Sequence, residues 1–190
     1  MKIGSVITAA GCSERMGRFK LTLEIQGKTV IEYTLSGVYN IADEIVVVGG
    51  CRVEELRKVL SSYKKVWLVE NPNYKLGMFT SVKKGLSEIE GDYIFITPGD
   101  CPLIGESIYR LLLEKKDSIV VPSYNRRGGH PVLINAYMKE LLLKEPDSSN
   151  LKEFMKKHDV KYVEVDSDEI LIDMDRPEDF EKIKERITNG

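Results

Sequence analysis

The sequence predicts an α/β fold in which helices cover both faces of a mainly parallel sheet. Short β-branched runs alternate with longer amphipathic stretches along the 190 residues, as strand–helix units require. The central runs "IVVV" (45–48) and "YIFI" (93–96) are apolar throughout rather than alternating, as expected of strands buried on both sides. No linker, internal repeat or low-complexity segment interrupts the pattern, so residues 1–190 read as one domain with a substantial core.

Taken in order, the chain opens with a strand at 2–8, "KIGSVIT". Gly27–Lys28–Thr29 reads as a turn before a helix at 29–39. A strand at 43–50 leads to a helix at 52–62, followed by Ser61 and Ser62 at its end. The strand 65–70 precedes "ENPNYKLGMFTSVKKGL", a turn and then a helix starting at Gly77–Met78 and reaching residue 90. Gly91 reads as the glycine that closes this helix. The strand 92–97 is followed by a helix at 105–116, then by strands at 118–123 and 130–135. Helices at 135–145 and 150–157 and a strand at 161–165 follow. The last helix, 177–187, begins at Pro177 with Glu178 and Asp179 in its first turn, where the helix dipole favours negative charge.

Composition narrows the function. The net charge of -2 does not favour non-specific nucleic-acid binding. No apolar run approaches the roughly 18 residues needed to span a bilayer, and the N-terminus looks like a strand rather than a signal peptide, so a cytoplasmic protein with no membrane partner is expected. Cys12, Cys51 and Cys101 are odd in number and far apart, with no CxxC pair, so neither a disulfide framework nor a structural zinc site is expected.

Ligands of open α/β sheets sit at the carboxyl ends of the strands, which directs attention to the loops. After the first strand comes "AAGCSERMGRFK" (9–20). Ala9, Ala10 and Gly11 let backbone amides approach a ligand closely, Ser13 adds a hydroxyl, and Arg15 and Lys20 add positive charge. Such a loop suits a phosphate group; a solvated basic turn is the plain alternative. Ser13 stands where a dinucleotide fingerprint needs its second glycine, and Thr22 where a P-loop ending at "GKT" needs its first, so neither motif is present.

Asp100, in "TPGDCPLIG", follows the apolar strand 92–97 and must be solvated, paired or metal-bound. One or two carboxylates suit Mg²⁺; capping the next helix is an equal alternative. Asp173 and Asp175 are two apart, so in extended chain they point the same way and one could meet Asp100; Asp175 could instead cap the last helix. "NRRGGHPVLI" is a cationic, glycine-rich loop suited to an anionic second substrate, and its His130 could equally satisfy a backbone carbonyl.

Together and in this order these blocks resemble one family. "AAGCSERMGRFKL" matches AAGxSxRMGxxKL, and "NPNYKLGMFTSVKKGL", "PGDCPLI", "GGHPVLI" and "DMDRPEDF" resemble its later blocks. The chain thus resembles the molybdenum cofactor cytidylyltransferase family of the MobA-like nucleotidyltransferase superfamily over about 175 residues. The resemblance implies a three-layer α/β/α Rossmann-like nucleotidyltransferase fold and transfer of CMP from CTP to molybdopterin with release of pyrophosphate. It further implies Mg²⁺ on Asp100 with Asp175 or Asp173, and Arg15 and Lys20 facing the phosphates. Ala9, Ala10, Gly11, Ser13, Gly77 and Ser81 would lie around the nucleotide and His130 near the molybdopterin, with a molybdenum hydroxylase apo-enzyme as recipient. A guanylyltransferase, a transferase acting on another phosphorylated small molecule, and a non-catalytic nucleotide- or cofactor-binding chaperone are the rival readings. The family's G-A-R element is replaced here by "EPDSSNLKEF", which bears on the second substrate more than on the reaction.

Overall fold

The computed structural model describes residues 1–189, with Arg15 described by its backbone alone. The chain runs through β1 (Ile3–Ala9), β2 (Glu24–Ile25), β3 (Lys28–Thr29), α1 (Val30–Val38), β4 (Glu44–Gly49), α2 (Val53–Leu60) and β5 (Val66–Glu70). It continues through α3 (Met78–Ser87), β6 (Tyr93–Pro98), α4 (Glu106–Glu114), β7 (Ile119–Tyr124), β8 (Arg127–Gly128) and β9 (Val132–Asn135). The last elements are α5 (Ala136–Leu143), α6 (Leu151–Met155), β10 (Lys161–Glu164) and α7 (Pro177–Asn189). The expected strands and helices are all present. The short β2–β3 hairpin, β8 and several 3-10 turns were not anticipated, being too short to leave a periodic pattern.

The main sheet has the order β10-β7-β9-β6-β1-β4-β5, with β8 against β7. β1 lies parallel to both β4 and β6, and β5 parallel to β4. β9 runs antiparallel to β6 and β7. The two faces of the sheet are both apolar. Ile7, Ile45, Val47, Phe95, Val120 and Leu133 pack towards α1, α2, α4 and α7. Their neighbours Val6, Val46, Val48, Ile94, Ile96 and Val132 pack towards α3, α5 and α6. This two-sided burial is why the strands carry no polar alternation, and it makes the three layers that the resemblance implied.

Local chemistry sets the boundaries. Thr29 and Glu32 form a capping box: Glu32 accepts from the Thr29 amide at 2.8 Å and from its hydroxyl at 2.6 Å. Gln26 and Gly27, both with positive φ, turn the β2–β3 hairpin. Gly85 lets α3 approach the sheet, since a Cβ there would lie 2.3 Å from a Val6 methyl. α3 ends at Ser87, so Gly91 does not close it. Gly91 instead allows a close approach, with a Cβ at that position 3.1 Å from the Gly4 nitrogen.

Strand order reverses at β1: the chain moves out to β4 and β5, then returns to β6 on the other side. Ligands bind at such switch points. Because β9 is antiparallel, its beginning lies at the carboxyl end of β6, with Val132 opposite Ile96. That reversal brings the His130 loop to the same edge as the loops after β1 and β6.

Candidate active site

The loop after β1 leaves the sheet at Ala9 and Ala10, both buried. Ser13 adopts a left-handed conformation, φ 57, and its Oγ accepts a hydrogen bond from the Lys20 amide at 3.1 Å. Met16 and Phe19 bury their side chains and anchor the base of the loop. A 3-10 turn at Lys20–Thr22 then aims the Lys20 side chain back across the strand ends.

Lys20 is where the distant blocks meet. Its ammonium donates to the Asp100 carboxylate, to the Met174 carbonyl at 2.6 Å and to Asp175 Oδ1 at 3.3 Å. Burial works against the charged form of Lys20, but Asp100 and then Asp175 outweigh it and raise the pKa above its ordinary value. The late acidic segment is held in place by Met174, whose side chain is fully buried and whose amide donates to the Asp100 carbonyl at 3.2 Å. Burying Met174 turns its neighbours the other way. Asp175 reaches Lys20, while the exposed Asp173 has its pKa raised by partial desolvation and by the Asp100 and Asp175 charges.

Both capping alternatives are thereby decided. Gly105 occupies the N-cap of α4 with no side-chain cap, leaving Asp100 to Lys20. At α7 it is Asp179 that accepts from the Asp175 and Arg176 amides, at 3.2 and 2.8 Å.

Gly11, Ser13, Lys20, Tyr74, Lys75 and Asp175 line an open pocket of about 470 Å³. Tyr74 and Lys75 were missed at the sequence level because they lie inside a block read as a plain turn. Gly77, with φ 120, begins α3 beside this wall. Ser81 is buried and its hydroxyl accepts from the Asn71 side-chain Nδ2 at 3.0 Å, in a network with Thr80. Its hydroxyl braces the turn before α3. The Arg15 side chain falls outside the described residues.

A second, smaller cavity of about 120 Å³ is lined by Thr8, Met78, Phe79, Pro98, His130 and Asn150. Its character is apolar. The His130 amide donates to the Ile170 carbonyl at 2.9 Å, and the ring Nδ1 is shielded from solvent without a hydrogen-bond partner. The ring therefore does not satisfy a backbone carbonyl through Nδ1. Burial lowers its pKa, which the Asp100 charge opposes only in part. Asn150, in the segment replacing the family's G-A-R element, caps α6 by accepting from the Glu153 amide at 2.9 Å.

One cysteine expectation is corrected. Cys12 and Cys51 form a disulfide, their Cα atoms 5.2 Å apart. They are 39 positions apart in sequence, but β1 and β4 are neighbouring parallel strands, so the loops that follow them meet. Sequence spacing carries no record of that adjacency.

Amides, a lysine and converging carboxylates meet at the switch point of a mainly parallel sheet, the place where ligands of open α/β sheets bind. This fold and its relatives define a nucleotidyltransferase enzyme. The model of the MobA-like NTP transferase domain matches residues 5–162, and the chain belongs to that family. It is 30% identical to the molybdenum cofactor cytidylyltransferase of Escherichia coli, covering 98% of this chain and 97% of the relative. It is 29% identical to a probable molybdenum cofactor guanylyltransferase of Natranaerobius thermophilus, over 96% of this chain and 95% of that one. Among solved structures, a nucleotidyl transferase from Methanothermobacter thermautotroptrophicus superposes with a TM-score of 0.86 at 25% identity, covering 99% of this chain and 98% of the other.

Proposed function

We propose that the protein transfers CMP from CTP to the terminal phosphate of molybdopterin, with release of pyrophosphate. The observation that carries this is the single Lys20 ammonium held by Asp100 and Asp175 beside the glycine-bearing loop. Lys20, Asp175 and the Gly11–Ser13 stretch share one pocket of about 470 Å³, and Asp100 meets the same ammonium.

In the proposed reaction an oxygen of the acceptor phosphate bonds to the α-phosphorus, and the bond from that phosphorus to the bridging oxygen of pyrophosphate breaks. A phosphate monoester is largely ionised at neutral pH, so no residue need remove a proton. The amides of Gly11 to Ser13 orient the phosphates, and Lys20 neutralises the charge that develops on the leaving group. Ala9, Ala10 and Gly77 are assigned to the nucleoside by the family resemblance, and Ser81 braces the turn before α3. The family resemblance assigns Arg15 the role of a second cation for the phosphates. The cavity beside His130 would receive part of the acceptor.

Asp100 and Asp175 converge on one cation, here the ammonium of Lys20. That donor set of hard oxygens fits Mg²⁺, which takes one or two carboxylates and fills its remaining positions with water and phosphate. Mg²⁺ held by Asp100 and Asp175 would supply charge neutralisation at the phosphates. Asp173 stands close enough to modulate the site electrostatically.

The E. coli relative favours cytidine and the N. thermophilus relative favours guanosine, at nearly equal identity. A pyrophosphate-release assay with each of the four nucleoside triphosphates and molybdopterin as acceptor separates these readings. Turnover with CTP and Mg²⁺ is expected; turnover with GTP alone would reassign the base. CTP binding that neither needs Mg²⁺ nor changes in Asp100→Ala would favour a non-catalytic carrier. A molybdenum hydroxylase apo-enzyme is the expected recipient of the product.

A further inference from the structure

The Cys12–Cys51 bridge joins the candidate nucleotide loop to the turn after β4. Ala9 lies opposite Gly49 in the parallel pairing of β1 and β4, so both turns leave the same edge of the sheet. The Cys51 amide donates to the Ala10 carbonyl at 3.2 Å. A Cβ on Gly50 would lie 2.7 Å from that carbonyl oxygen and 2.9 Å from the Ala10 methyl, so glycine lets the second turn rest on the first.

The bridge acts where the loop has least support. Met16 and Phe19 are buried and fix the base of the loop, while none of Gly11 to Glu14 is buried. The hydrogen bonds made by this tip stay local: Ser13 accepts from the Met16 amide at 3.0 Å and, through Oγ, from the Lys20 amide at 3.1 Å; Glu14 accepts from the Gly17 amide at 3.3 Å. Among the described residues, the sulfur bridge is what ties the tip to the β4 side. Cys12 also lines the pocket shared by Gly11, Ser13 and Lys20. Cys51 is exposed, so a small disulfide can reach it.

We propose that Cys12 and Cys51 are a thiol–disulfide exchange site that sets nucleotide affinity: the bridged form holds the Gly11–Ser13 amides ready for phosphate, and the dithiol form releases them. This rests on reading the pocket as the nucleotide site. In the forward step the Cys51 thiolate attacks a low-molecular-weight disulfide, forming a mixed disulfide and expelling one thiolate. The Cys12 thiolate then attacks the Cys51 sulfur, closes the bridge and expels the second. Two electrons pass from the protein pair to the small disulfide, and the two protons of the protein thiols end on the two small thiols. Bridging removes loop freedom that nucleotide binding must otherwise freeze, so the bridged form binds more tightly. By linkage, bound nucleotide favours the bridge by the same factor.

The test uses the full chain equilibrated in glutathione buffers, with the bridged fraction measured by alkylation and mass spectrometry. CTP with Mg²⁺, and GTP with Mg²⁺ in a second arm, are titrated calorimetrically into the bridged and dithiol forms. We expect Kd to be about 5- to 20-fold lower for the bridged form, within the usual span of coupling between two sites. Saturating nucleotide should shift the glutathione ratio at half-bridging by that same factor. Cys51→Ser should bind like the dithiol form in both buffers, leaving Cys12 in the pocket and the buried Cys101 as controls. Equal Kd values within twofold, tighter binding by the dithiol form, or a buffer dependence that survives in C51S overturns the proposal while leaving the nucleotide site standing. Absence of nucleotide binding in both forms overturns the site assignment, and the proposal with it.

Discussion

Lys20 is the residue on which two distant chain segments converge, since Asp100 from one and Met174 and Asp175 from the other all bind its ammonium. We expect Lys20→Ala and Asp100→Asn each to lower kcat/KM for pyrophosphate release by about 10²–10³, the scale of losing one preorganised electrostatic contact. Circular dichroism should show the fold retained. His130 offers a pH test. Its folded-state pKa is depressed by burial, so the unfolded chain takes up more protons as the pH falls below the ordinary histidine value of about 6.5. Stability is therefore lost on acidification through that range. Thermal melts at about pH 7.5 and about pH 5.5, either side of that value, should show a smaller loss in His130→Gln than in the native chain. An equal loss in both would remove His130 as the source.

At the scale of elements, the site depends on α3 lying close to β1 and β4. Gly85 permits this, because an added methyl would strike Val6 on the central strand at 2.3 Å and Val48 at 2.9 Å. Both valines are fully buried and cannot swing aside. We expect Gly85→Ala to cost about 1–3 kcal/mol through overpacking, measured by urea denaturation, despite the better helix propensity of alanine. The elements themselves were legible from local pattern. The capping box at Thr29 and Glu32 and the helix start at Gly77 follow from short-range chemistry that the chain carries wherever it folds. Gly91 was misread because a glycine that ends a helix and one that admits a neighbouring backbone look the same in one dimension.

At the scale of the molecule, the disulfide closes a sequence separation of 39 residues. Chain-entropy arguments assign a loop of that size about 4 kcal/mol of destabilisation of the unfolded state. We expect Cys51→Ser to melt on the order of 10 °C below the native chain without reductant, and the two to melt together in excess dithiothreitol. A matching melting temperature without reductant would show that the bridge does not restrain the unfolded chain. No described helix is long and apolar enough to cross a membrane.

The sequence by itself determined the layered α/β architecture, the order of its elements and the loops that hold the site, because periodicity and turn chemistry act over a few residues. Lys20, Asp100 and Asp175 could be nominated individually from their residue types and places after strands. Only the tertiary structure decided that they share one cation and that Cys12 meets Cys51. Those outcomes depend on which strands become neighbours and which way β9 runs, and strand pairing is settled by packing between segments far apart in the chain.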